Sequence, residues 1–412
     1  MRTFLDLVRL VVVLALALSS ASVAAAQAPK TPAPERPKPT PAIQKLIDGA
    51  KKLPAKDRPA ALEATLAAAR AAADRAGEAV ALNATGNAYF DLSQYQRALD
   101  SYGRALAIRH EIGDRWGEAA TVYNIGNVYH AIGQYAKALG YHNRALPIQQ
   151  EVGDREGVGC TLCNIGSDYE HLGQFTKALD CFRLALPILQ EVGAREPEAH
   201  TLAGMGYAYE TLGQHSKALD FYIRALRIQR QIGDRAGEGN TLDTIGNIYR
   251  RLGQYAHALE SCTRAVQILR DLGDRSGEGS ALDNIGNVYK DIAKFAMALD
   301  FYNQALAIQV EIADRAGEGG TLCNIGNLYS QLGKYAMALE YLNRALPILV
   351  EIGEREFEAN TLVGIGIVYE YLGQPAKALD YFNRVLPMRT EIGDREGEAI
   401  TLGNIGNVYR DL

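Results

Sequence analysis

Two groups of side chains have the types and spacing to do chemistry. Cys160 and Cys163 form a Cys-x-x-Cys pair near a helix start, the placement that lowers a thiol pKa toward the reactive thiolate. With His200 from the following stretch the pair would supply three ligands for a metal ion. His130, His171 and Glu170 form the second group, two imidazoles and a carboxylate of the kind used in acid–base catalysis. Neither group is complete. The strand–helix–strand frame of a redox Cys-x-x-Cys is missing, and Cys323 occupies the repeat position of Cys163 without a second cysteine. No nucleophile or oxyanion donor accompanies the histidines. Glycines recur as NIGN, but helical sequence precedes them where a phosphate loop needs a strand. No catalytic residue, metal ligand, cofactor or intrinsic enzyme activity is expected, and a thiol or metal site at Cys160 and Cys163 stands as a distant alternative.

What positions these residues is a repeat. The forty residues Thr121 to Cys160 recur eight times between 81 and 400 without insertion or deletion, and 401–412 begin a ninth copy. Such constant phase means that each copy is one supersecondary module stacked on its neighbours. Val122, Ile125 and Tyr129, then Tyr135, Ala138, Leu139, Ala145 and Leu146, fall at helical spacing, so each copy is a helical hairpin. Asp154 is placed to cap the first helix, Glu118 and Glu238 suit its positive end, and Gly173 suits a left-handed stop. Gly126 and Ala138 let two helices approach, and Tyr129 fills the space beside them.

These columns, seen as Leu162, Gly166, Tyr169, Ala178 and Ala185 in one copy, resemble the tetratricopeptide repeat. The forty-residue length and the segment EIGDRxGEA are similar to the long repeats of Leu-Gly-Asn (Pins-type) adaptors, kinesin light chains and bacterial arrays that precede a CHAT protease-like domain. The resemblance covers roughly residues 58 to 412. It implies an all-α, right-handed superhelical solenoid of antiparallel helix pairs, with the first helix of each pair lining a concave groove.

The N-terminus reads differently. Arg2 and Arg9 flank the start, Leu10 to Leu18 is apolar, and small residues lead to Ala24, Ala25 and Ala26, so 1–26 read as a secretory signal peptide. Residues 27–42 contain six prolines and read as a semi-extended linker. Residues 43–80 read as a degenerate capping helix pair, in which AAADRAGEA repeats the inter-unit segment. The protein is expected in the periplasm or outside the cell. Five cysteines are then too few and too scattered for a disulfide framework, and their odd number leaves a free thiol unless chains pair. The net charge is −5, and −6 without residues 1–26, which argues against a nucleic-acid or anionic-membrane partner.

By the resemblance, the groove is lined by the columns of Cys160, Tyr123, Asn127, His130 and Ala131. An outer column carries Asn87, Asn127, Asn247, Asn287, Asn327 and Asn407; a deeper one carries Asn124, Asn164, Asn284, Asn324 and Asn404. An amide side chain both donates and accepts, so it can hold the backbone of an extended peptide of any sequence. For the deeper column, hydrogen bonds between repeats are an equal reading. Two copies depart together: Gly204 with Tyr207, and Gly364 with Ile367, which predicts two equivalent apolar anchor sites with shallow pockets. The column of Tyr123 holds no cation, so a clamp for a free C-terminal carboxylate is not expected. The expected function is a non-enzymatic scaffold for a peptide or protein partner. The alternative is the recognition part of a longer effector such as a CHAT protease-like protein. Ile405, Val408 and Tyr409 await a covering helix, which predicts self-association at that end.

Overall fold

The structure, a computed structural model, describes residues 36–410. The proposed signal peptide, the linker up to residue 35 and the last two residues lie outside the described residues. Two compact units divide the chain after Leu172. The first holds α1 (Pro41–Lys51), a 3-10 turn (Ala55–Asp57), α2 (Arg58–Ala71), α3 (Arg75–Asp91), α4 (Tyr95–Glu111), α5 (Arg115–Ala131), α6 (Tyr135–Val152) and α7 (Arg155–His171). The second holds α8 (Phe175–Val192), α9 (Arg195–Thr211), α10 (His215–Ile232), α11 (Arg235–Arg251), α12 (Tyr255–Leu272), α13 (Arg275–Asp291), α14 (Phe295–Glu311), α15 (Arg315–Gln331), α16 (Tyr335–Ile352), α17 (Arg355–Tyr371), α18 (Pro375–Ile392) and α19 (Arg395–Arg410). Each unit is all-helical among the described residues, and within each unit every helix packs on the next in chain order.

The glycine column explains why the paired helices close. At Gly286 an added Cβ would sit 2.6 Å from the Tyr302 ring, and at Gly126 2.5 Å from the His142 ring. The side chain sixteen residues on, from the second helix, therefore lies flat on bare backbone. Ala138, Ala178, Ala218, Ala258, Ala298, Ala338 and Ala378 are fully buried at the matching close approach. Outside this seam, Tyr129 stacks on Tyr141 at 5.2 Å and Tyr369 on Tyr381 at 5.7 Å.

The EIGDRxGEA segment is an electrostatic clasp. Asp114 Oδ1 accepts from the Gly117 amide at 2.8 Å, and Asp74, Asp154, Asp234, Asp274, Asp314 and Asp394 cap their helices in the same way. Where the aspartate cap is missing, at Ala194 and Glu354, the glycine is missing too, replaced by Pro197 and Phe357. Arg115 then bridges Glu118 and Glu151, both at 2.6 Å, tying the start of a first helix to the end of the following second helix. Glu118 and Glu238 thus serve ion pairs as well as the helix dipole. Pro147, Pro187, Pro347 and Pro387 each lie inside a helix of 18 residues that continues past the ring.

Candidate interaction site on the first-helix face

In the first unit α3, α5 and α7 lie side by side and present their asparagines in hydrogen-bonded steps. Tyr102, on α4, donates its hydroxyl to Asn87 Oδ1 at 2.6 Å, and Asn124 Nδ2 donates to the same oxygen at 3.3 Å. One step on, His142 Nε2 lies 3.0 Å from Asn127 Oδ1, which also accepts from Asn164 Nδ2 at 2.8 Å. Asn164 Nδ2 is in addition 3.0 Å from the Tyr123 hydroxyl, whose pKa burial pushes up to about 12. The deeper asparagines Asn124 and Asn164 therefore hydrogen-bond across neighbouring repeats.

The histidines are recruited by an acid that the sequence reading passed over. His130 Nδ1 lies 2.7 Å from Asp168 Oδ1, and His142 Nδ1 lies 2.6 Å from Asp168 Oδ2. His171 does approach His130, with ring centroids 5.1 Å apart, and stacks on Tyr135 at 4.2 Å. Glu170 is not their partner: its carboxyl is half-buried, and burial pushes its pKa up to about 8. Asp168 was detectable, since its column otherwise reads Ala88, Val128, Ala208, Ile248, Val288, Leu328, Val368 and Val408.

In the second unit the deeper asparagines bind carboxylates. Asn284 Nδ2 donates to both Asp243 oxygens at 2.9 and 3.0 Å, and Asn324 Nδ2 donates to Asp283 Oδ2 at 3.0 Å. Burial raises both acids, Asp243 to about 6, against the hydrogen bonds that favour ionisation. Asn287 donates to Asp283 at 3.0 Å and accepts from the Tyr302 hydroxyl at 2.9 Å. Arg250 bonds Asn247 at 3.2 Å and Asp291 at 2.7 Å, and Asn327 Nδ2 lies 3.4 Å from Cys323 Sγ. Asn407 is exposed on α19.

Several expectations change. Gly204 and Gly364 leave no shallow pockets: an added Cβ would meet the Phe182 ring at 2.6 Å in one case and Asn327 Oδ1 at 2.5 Å in the other. The two departures are not equivalent either, since Tyr207 is 50% exposed and meets Phe175 edge-on, whereas Ile367 is half-buried against the Phe382 cluster. None of the five cysteines is in a disulfide. Burial raises the thiol pKa of Cys181, to about 11, and of Cys262 and Cys323, away from the reactive thiolate. Among the described residues no three His, Cys, Asp or Glu side chains are grouped to hold a metal ion. At the C-terminal end Val408 is buried and Ile405 half-buried, while Tyr409 is 63% exposed. Lys51 and Arg58 line one cavity with Asn87, Asn124 and Asn127. They come from the N-terminal helices, outside the repeat frame in which the column of Tyr123 was read.

Serial helix pairs joined by such interlocking amides define an α-solenoid of interaction-scaffold type. The family model for the tetratricopeptide repeat matches residues 118–191, 157–231, 197–271, 237–310, 318–391 and 357–412, and a second model of the same description matches 79–112. The chain belongs to the tetratricopeptide repeat family. No curated protein matches it. Among solved structures it is similar to the apo form of the quorum sensor NprR from B. thuringiensis, at 15% identity over 84% of this chain and 98% of that one, with a TM-score of 0.62. A STAND protein with a tetratricopeptide repeat sensor from Pyrococcus horikoshii aligns at 14% identity over 83% of this chain and 55% of that one, TM-score 0.60. A Rap protein complexed with competence and sporulation factor aligns at 13% identity over 81% and 98%, TM-score 0.52. At these identities the likeness is one of fold.

Proposed function

We propose that the chain is a non-enzymatic scaffold that holds an extended peptide, or an extended segment of a protein partner, across its first-helix face. The observation that carries this is the locking of the outer asparagines. Asn87, Asn127 and Asn287 are each held by a second-helix side chain fifteen residues on, Tyr102, His142 and Tyr302. Amides fixed before the ligand arrives lose little rotamer entropy on binding. In the second unit Asn247, Asn327 and Asn407 fall in the same repeat column as Asn287, and Tyr207 and Ile367 replace the asparagine there. Asn124 and Asn164 hydrogen-bond Asn87 and Asn127, whereas Asn284 and Asn324 bond Asp243 and Asp283. The Rap relative solved with competence and sporulation factor is consistent with a ligand on such a face. The test is capture from an extract of the native cell by the wild-type chain and by a variant with Asn87, Asn127, Asn247, Asn287 and Asn327 changed to Ala. A partner lost by the variant supports the reading; an identical set of partners retained by a folded variant overturns it.

A second reading, the recognition part of a longer effector such as a CHAT protease-like protein, draws support from the STAND relative, whose repeats are described as a sensor. Gene sequence beyond the codon for Leu412 tests it. We also infer export to the periplasm or medium from Arg2, Arg9 and the apolar run after them, to be checked by N-terminal sequencing of the mature protein for a start near Gln27. Exposed Ile400, Leu402 and Tyr409 support self-association at the last helix, read by sedimentation equilibrium.

A further inference from the structure

In the first unit the five residues before α1 are held against the starts of the first helices. Thr40 donates its amide to Asp74 Oδ2 at 2.7 Å, while the other oxygen of that carboxylate caps α3 through the Gly77 amide, also at 2.7 Å. Four residues earlier the Arg36 guanidinium sits over the Trp116 ring, 5.9 Å from its centroid. Asp74 immediately precedes α3 and Trp116 is the second residue of α5, so the segment steps from the start of one first helix to the start of the next. Between these anchors Pro37 and Pro39 are half-buried, and Lys38 is exposed. Thr40, with φ −58° and ψ 150°, has polyproline-type backbone. At about 3.1 Å per residue, four residues span about 12 Å, close to the roughly 8–10 Å that separates packed helices. One first helix is therefore crossed for every three or four residues of chain.

The sequence before Arg36 suits the same path. Residues 27–42 contain six prolines, and a proline also disfavours the helical region for the residue before it, so an extended course loses little backbone entropy on docking. The next first helix, α7, packs beside α5, and the same stride carried back from Arg36 reaches it at Pro32 and Ala33. There the repeat position of Trp116 holds Glu156, which is exposed, two residues after Asp154. From 29 to 40 the segment carries Lys30, Arg36 and Lys38 against the single acid Glu35, a sign opposite to that of the two acids. We propose that residues 29–40 form a strap across the starts of α3, α5 and α7, anchored by Asp74 on the Thr40 amide, by Trp116 on Arg36 and by Glu156 on Lys30. The strap is an intramolecular ligand of this edge, and it fixes the direction in which the chain leaves the repeats. Its seat lies at the helix starts and does not depend on a peptide held by the asparagines.

Trp116 is the single tryptophan of the chain, so its fluorescence reads the central anchor without a label. In the full chain Arg36→Ala should raise the acrylamide quenching constant of Trp116 about twofold. Lys30→Glu, six residues from that anchor, should raise it in the same direction, and Lys30→Glu combined with Glu156→Lys should return it to the wild-type value. Cleavage after Glu35 by a glutamyl endopeptidase is the second readout. It should be about tenfold slower in the chain than in a synthetic peptide of residues 27–42, and each single variant should reduce that protection. Lys30 and Arg36 precede α1 and Glu156 is exposed, so the substitutions leave the helical core intact. Quenching that responds to Arg36→Ala but not to Lys30→Glu, or a charge swap that fails to restore it, overturns the extension onto α7. Cleavage of the chain at the peptide's rate, or quenching unchanged by both single variants, overturns the strap as a whole.

Discussion

His142 Nδ1 lies 2.6 Å from Asp168 Oδ2, and neither side chain reaches solvent. In sibling repeats the first position is aromatic or aliphatic, as in Tyr102, Phe182 and Leu342, or a thiol at Cys262, and the second is aliphatic, as in Val128 and Val288. One repeat junction has thus exchanged an apolar contact for a buried polar pair, and the exchange reaches Asn127 through the second nitrogen of the same imidazole.

Asp168→Val alone should strand His142 and cost about 3 kcal/mol, as breaking a buried pair does. Adding His142→Phe recreates the sibling pairing and should restore stability to within about 1 kcal/mol of wild type. Thermal melting with hydrogen exchange on α6 and α7 reads both. Equal losses in the single and double variants would show that the cost does not come from the stranded imidazole.

Glycine substitutions should divide by what lies above the backbone. Gly286→Ala drives a Cβ to 2.6 Å from the fully buried Tyr302 ring and should lower stability by about 1–3 kcal/mol. At Gly279 the nearest atoms are 3.5 Å away, so Gly279→Ala should raise stability by up to about 1 kcal/mol through helix propensity. Chemical denaturation of the two variants, with opposite shifts in midpoint, is the check.

Acidity should favour the junction at Asp243. Burial raises its folded pKa to about 6, above the roughly 3.9 of an unfolded Asp, so between these values the folded chain holds more protons. Its contribution to stability therefore falls as pH rises from about 4 to 6. Asp243→Asn removes the titration, so its stability relative to wild type should increase from pH 4 to pH 7. A difference independent of pH would mean that the carboxyl is not perturbed.

Pro147 is exposed in the interior of α6, where sibling repeats carry Ala107 and Ala307. Pro147→Ala restores an amide donor to the helix and relieves crowding at the Asn143 carbonyl, so melting should rise by an amount equivalent to about 1 kcal/mol or more. A fall would mean that the repeat stack uses the local distortion.

Tyr207→Asn should weaken capture of a native partner more than Ile367→Asn does, because half of the tyrosine surface is open on α9 while Ile367 packs against its own core. Competitive capture with the two variants measures the order, and equal losses would return both positions to the same role.

The amino-acid sequence by itself determined the helix pairs, their forty-residue phase, the caps and the family. Each follows from local chemistry repeated until it could not be misread: apolar positions three and four apart, Asp before Arg-x-Gly, glycine after leucine. Single-copy features were legible only as exceptions. Asp168 stood out against its apolar column, and Tyr207 and Ile367 against an asparagine column, yet their partners lie on other helices. The emptiness beside Gly204 and Gly364 was an expectation of composition, and packing filled it with Phe182 and Asn327. Only the tertiary structure decided which neighbour claims each asparagine oxygen, because the competing donors lie on other helices. It also brought Lys51 and Arg58 to Asn87, across more than twenty residues and outside the repeat frame, by folding α1 and α2 against the first repeat. Periodicity is a local property that sequence carries in full; the sign and direction of a binding surface are sums over neighbours distant in sequence.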